Sequence, residues 1–197
     1  ISPWTFKRKR LRRLHSKLVV VDGRVAFVGG INIIDDLNTP DHLPPRIDYA
    51  VRVEGPLLVA MRANARRMWR PVAWASLRHL DAAKLPDAHA KPGNMRAAFV
   101  VRDNVWHRRD IEKAYLVAIE NAQSEIVIAN SYFLPGRRFR RALMAARKRG
   151  VRVILLLQGR VEYLLVDYAA HALYEQFLGA GIEIHDYRTS FLHSKLA

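Results

Sequence analysis

The feature that most constrains the fold is a pentapeptide used twice. Leu14-His15-Ser16-Lys17-Leu18 returns letter for letter at Leu192-His193-Ser194-Lys195-Leu196. One long spacing, unlike the short period of a solenoid, marks a single structural unit built twice. On a strand, side chains two residues apart share a face. Each copy therefore presents a His and a Lys together and turns its Ser to the other side. That parity disfavours Ser16 and Ser194 as nucleophiles beside the histidines.

The residues after the first copy define more geometry. The apolar runs Leu18-Val19-Val20-Val21 and Val25-Ala26-Phe27-Val28 flank Asp22-Gly23. This is a strong hairpin signal, because a type I′ turn needs positive φ at both central residues. With Asp22 and Gly23 as the two turn residues, Val21 faces Arg24, Lys17 faces Val28, His15 faces Gly30 and Arg13 faces Asn32. One face then holds an imidazole, an ammonium and a carboxamide around a residue with no side chain. Such a nest suits a tetrahedral anion: Lys17 supplies charge, Asn32 supplies donors, and Gly30 leaves room beside His15. The pleat puts Asp22 in the turn, away from that cluster, as a structural residue.

Along the rest of the chain, residues 48–54 read as a strand. Gly55-Pro56 opens a helix with Leu57, Met61, Ala65 and Met68 on one face. Pro71, Pro86, Pro92 and Gly93 punctuate an irregular stretch carrying His79 and His89, read as linker residues. Residues 96–102 read as a strand. Asp110 caps a helix whose apolar stripe is Ile111, Tyr115, Ala118, Ile119 and Ala122. A strand at 125–130 follows, then a basic helix at 136–149 stopped by Gly150, and an apolar strand at 151–157. A helix carrying Val166, Ala169, Ala170, Leu173 and Phe177, a short strand at 182–185 and the second motif strand complete the chain. Strands alternating with helices, several too apolar to face water, predict an α/β fold: a mixed β-sheet flanked by helices on both faces.

Composition narrows the function. The 197 residues contain no Cys, which excludes disulfides and thiolate metal sites. No His, Asp and Glu spacing matches a zinc pattern, so no metal is expected. No apolar run approaches the roughly 20 residues that span a bilayer. Thirty-three Lys and Arg against 18 Asp and Glu leave a net charge of +15. Lys7, Arg8, Lys9, Arg10, Arg12 and Arg13 lead into the first motif. Arg137, Arg138, Arg140, Arg141, Arg147, Lys148 and Arg149 load one helix. Such charge attracts polyanions, whether nucleic acid or acidic lipid.

His15-x-Lys17, four residues, Asp22, six residues, Gly29-Gly30-x-Asn32 resembles the signature of the phospholipase D superfamily. The Gly-Gly form resembles, more narrowly, its bacterial cardiolipin synthases. The flanks Arg52-Val53-Glu54-Gly55-Pro56 and Ser131-Tyr132-Phe133-Leu134-Pro135-Gly136 carry the likeness further. The resemblance implies a two-lobed pseudo-dimer, with one motif per lobe meeting at a single active site. Residues 1–70 would be the C-terminal part of the first lobe, 71–95 the connection, and 96–197 a second lobe cut within its motif. On this reading the chain is an internal fragment, inactive by itself.

By the same resemblance, His15 and His193 share nucleophile and acid–base roles through a phosphohistidine, with no metal or other cofactor. Lys17, Lys195, Gly30 and Asn32 hold phosphate oxygens, and Asp22 belongs to the motif. Asp48 orients His193 from the opposite half, and Tyr132 and Phe133 line the substrate groove. The implied reaction passes a phosphatidyl group from phosphatidylglycerol to a second phospholipid. The implied place is the cytoplasmic face of the bacterial inner membrane, with the enzyme peripheral on anionic phospholipid. The alternatives are a phosphodiester hydrolase, or a nuclease or nucleic-acid-binding member of the superfamily. The sequence leaves open the acceptor alcohol, which His is nucleophile, and the oligomeric state.

Overall fold

The structure is a computed structural model that describes residues 16–32, 39, 43–76, 94–103, 106–160 and 164–197. His15, the basic lead-in through Arg13, and His79 and His89 of the connection lie outside the described residues.

Strands β1 (Leu18–Val21) and β2 (Val25–Gly29) form the antiparallel hairpin. The Asp-Gly turn is present: Asp22 and Gly23 have φ of 50° and 65°, and Arg24 N donates to Val21 O at 3.0 Å. The register differs from the expected one by a residue. Val21 pairs with Val25 and Leu18 with Val28, so Arg24 is an extra residue, as at a β-bulge. A one-residue shift turns every later partner to the other face. Lys17 therefore lies across from Gly29, whose N–H reaches Lys17 O at 3.4 Å. Gly30 lies beyond the end of β2, and the pairings expected for Gly30 and Asn32 do not follow from this register.

Strand β3 (Ala50–Val53) adds antiparallel to β2, with Gly29 opposite Ala50. Helix α1 (Leu57–Ala75) packs beneath this three-stranded sheet. Ala26, Leu58 and Met61 are buried there, with Leu18, Val20, Val28, Val53 and Phe99 around them. Phe99 comes from the stretch expected as a strand at 96–102. That stretch forms no strand, yet its phenylalanine fills the first core.

The second half holds α2 (Asp110–Asn121), β4 (Glu125–Asn130), α3 (Arg137–Lys148), β5 (Arg152–Gln158), α4 (Leu164–His171), α5 (Tyr174–Gly179), β6 (Glu183–Tyr187) and β7 (Lys195–Leu196). The sheet order is β6-β5-β4-β7, with β7 antiparallel to β4 and the other pairs parallel. One helix was expected over 166–177; two form instead. Asp110 is the first residue of α2 rather than its cap. Its carboxyl bonds His107 Nδ1 at 2.6 Å and Lys113 at 3.3 Å, and those contacts, His107 foremost, hold its pKa below the usual value.

Alternation along β5 buries Val153, Leu155 and Leu157 against Ile128 of β4 and against Ile119, Leu143, Ala146 and Phe177 of α2, α3 and α5. These helices cover one face. On the other face Val127 of β4 remains 43% exposed. Among the described residues the molecule is thus mixed α/β with two sheets. They meet where Ile47, just before β3, forms a parallel bridge with Leu192, just before β7.

Candidate active site

Three backbone and side-chain ties hold the second motif against the first half. Ser190, 1% exposed, donates a three-centre hydrogen bond to the carbonyls of Pro44 (2.5 Å) and Pro45 (2.7 Å). Ile47 N donates to Phe191 O at 2.9 Å, and His193 N donates to Ile47 O at 2.8 Å. Gln158, at the end of β5, accepts from Leu192 N at 3.0 Å. The chain on both sides of His193 is therefore clamped before its side chain makes any contact.

Residue 48 then lies where its carboxylate meets the imidazole. Asp48 Oδ2 is 2.7 Å from His193 Nδ1, across 145 residues of sequence. Both side chains are largely buried, at 17% and 9% exposure for His193 and Asp48. Asp48 Oδ1 accepts from Tyr49 N at 2.8 Å. With the carboxylate ionised, Nδ1 carries the ring proton and Nε2 presents its lone pair. Lys195 Nζ lies 3.5 Å from that Nε2 and donates to His193 O at 3.3 Å.

Lys195 is an exposed residue, yet its ammonium pKa is lowered, chiefly by lost hydration. Asp48 opposes the shift, and the like charge of Lys17 adds to it. Lys17 and Lys195 thus sit close enough to repel, and an anion between them would relieve both. Among the described residues, no group of three or more His, Asp or Glu is placed to hold a metal ion.

Other candidate residues sort differently. Asp22 is exposed in the hairpin turn, at the far end of β1 from Lys17. Gly30 is buried against Asp48. The place of its side chain is taken by Asp48: a Cβ there would stand 2.1 Å from Oδ1. Phe133 does not line a groove. It is 7% exposed and packs edge-on against Phe139 and tilted against Phe177 in the second core. Tyr132 alternates outward and is 37% exposed, one residue after Ser131 N reaches Ser194 O at 3.1 Å.

Gln158, Ser190 and the Pro44-Pro45 carbonyls escaped sequence reasoning. Their partners lie 34 and about 145 residues away, and no local spacing signals such contacts.

Fold, repeated motif and cross-half contact point to a class, and comparison with known proteins runs the same way: the chain is similar to members of the phospholipase D superfamily. Within it, the similarity is to cardiolipin synthases. Residues 115–197 match the family described as cardiolipin synthase, PLD-like domain. Cardiolipin synthase B of Salmonella typhi is 40% identical over 197 residues, 94% of this chain, and that of Escherichia coli K12 is 38% identical over 196. Cardiolipin synthase A of Pseudomonas putida GB-1 is 33% identical over 186 residues, covering 93% of this chain and 38% of its own. The chain spans 45% of the length of the B-type relatives.

Proposed function

We propose that the full-length protein is a phosphatidyltransferase that makes cardiolipin from phosphatidylglycerol and a second phospholipid. The observation that carries this reading is the His193–Asp48 pair, formed between the two halves with Lys195 beside it and Lys17 within electrostatic reach of Lys195. The names of the relatives support the substrate class.

In the reaction, one motif imidazole attacks phosphorus and a P–N bond forms as the P–O bond to glycerol breaks. The other imidazole, protonated, gives its proton to the departing alkoxide. It then takes the proton of the acceptor hydroxyl, whose oxygen attacks phosphorus and breaks the P–N bond. His193, its Nδ1 held by Asp48, supplies one of these groups, and His15 the other. Lys17 and Lys195 hold the non-bridging oxygens as charge builds. Asn32 keeps the part the motif assigns it, as a further donor.

No helix among the described residues is long and apolar enough to cross a membrane. A net charge of +15 supports peripheral attachment to an anionic bilayer, at the cytoplasmic face of the bacterial inner membrane. Basic residues of α3 and of its C-terminal end also tie the fold, and their bonds to neutral partners leave their charge intact. Arg140 bonds Gln176, Arg147 the Gly181 carbonyl, and Arg149 the carbonyls of Ile119 and Ala122.

The test is labelled phosphatidylglycerol in mixed micelles with the full-length protein. Labelled cardiolipin is expected, and His193→Asn should abolish it while the circular dichroism spectrum stays native. Phosphatidic acid as the sole product would make the protein a hydrolase instead. Turnover by His193→Asn at the wild-type rate would remove His193 from the mechanism.

A further inference from the structure

We propose that Gly30 is a positioning residue for the His193–Asp48 pair: the side chain it lacks is the space the Asp48 carboxylate fills. A Cβ on Gly30 would lie 2.1 Å from Asp48 Oδ1 and 2.8 Å from both its Cγ and Oδ2. All three are well inside van der Waals contact, which begins near 3.5 Å for heavy atoms. Gly30 is not among the glycines with positive φ, so the requirement is one of room rather than backbone freedom.

The carboxylate has nowhere to retreat. Its Oδ1 is held by Tyr49 N at 2.8 Å and its Oδ2 faces His193 Nδ1 at 2.7 Å. A side chain with two torsions cannot clear a methyl group and keep both bonds. Nor can the backbones part freely. Gly30 N donates to Tyr49 O at 2.9 Å, and a Cβ on the neighbouring Gly29 would lie 2.2 Å from that same oxygen. The two glycines therefore divide one task. Gly29 lets the backbone entering β3 come close, and Gly30 seats the acid which that backbone delivers to the second motif.

The kinetic consequence rests on the proposed catalytic role of His193; the structural claim does not. The test compares Gly30→Ala, Asp48→Ala and the double variant in the full-length protein. It reads phosphatidyl transfer in micelles, thermal midpoint, and the downfield Nδ1 proton resonance of ¹⁵N-labelled His193. Gly30→Ala should shift or erase that resonance and lower kcat at least about tenfold with KM within about twofold. In the Asp48→Ala background, adding Gly30→Ala should change neither kcat nor the midpoint, because the methyl enters space already vacated.

A native resonance and kcat in Gly30→Ala would overturn the proposal. So would a further loss of kcat when it is added to Asp48→Ala. If Gly30→Ala alone fails to fold, the double variant should fold, and its failure would equally overturn the idea. Wild-type turnover by Asp48→Ala would remove the pair from catalysis and leave the resonance to decide the role of Gly30.

Discussion

Lys195 of the second motif and Asp22 of the first occupy different physical worlds. The Lys195 ammonium sits beside His193 Nε2, short of hydration and repelled by Lys17. A base with its folded pKa below its unfolded value binds protons less readily when folded. Lys195 therefore costs stability at neutral pH, and that cost is relieved as pH climbs past the lowered value toward 10.5. On the proposed function, an arriving phosphate would release the same repulsion. Replacing Lys195 with Met should lower turnover by roughly 10²–10³-fold, the usual loss of a transition-state charge partner. Asp22→Asn, out in the turn, should leave turnover within about twofold, as surface changes generally do. Steady-state rates of the two variants check the order.

Elements form where local signals agree, and shift where one residue is left over. The β1–β2 turn arises at Asp22-Gly23 as its chemistry demands, yet Arg24 goes unpaired and displaces the register. Nothing in the residues flanking a two-residue turn distinguishes these outcomes. Sheet contacts beyond the hairpin, with β3 and α1, choose between them. The end of α3 is simpler. Gly150 has φ of 91° with open space where a Cβ would go, so its requirement is purely conformational. Gly150→Ala should destabilise the protein by about 1–2 kcal/mol, the cost of left-handed backbone for an L-residue. Denaturant midpoints at unchanged slope would measure it. The sign is opposite to that of a glycine in a helix interior.

At the scale of the whole molecule, what matters is the seam between the halves. Residues 44–48 and 190–193 run side by side through the Ser190 hydroxyl and two backbone bonds, and the His193–Asp48 pair forms only because they do. Ser190→Ala leaves two carbonyls without their donor and should cost about 1–3 kcal/mol. It should also lower turnover by loosening the pair. Ser194→Ala makes the contrast. That hydroxyl is buried with no hydrogen-bond partner among the described residues, so its loss should be neutral or stabilising. Urea titrations of the two variants would separate them.

The repeated Leu-His-Ser-Lys-Leu, the Asp-Gly turn, the 125–130 strand and the basic helix were all legible in the sequence, because each rests on chemistry between near neighbours. The alternation that pairs His193 with Lys195 on one strand face is a property of the extended backbone and needs no tertiary contact. The register of the hairpin, the burial of Phe133, the division of labour between Gly29 and Gly30, and the clamp by Ser190 and Gln158 belong to the tertiary structure alone. Each depends on atoms from distant segments competing for the same space or the same hydrogen bond. Periodicity ranks residues by face, but only packing decides which atom occupies the space a glycine leaves open.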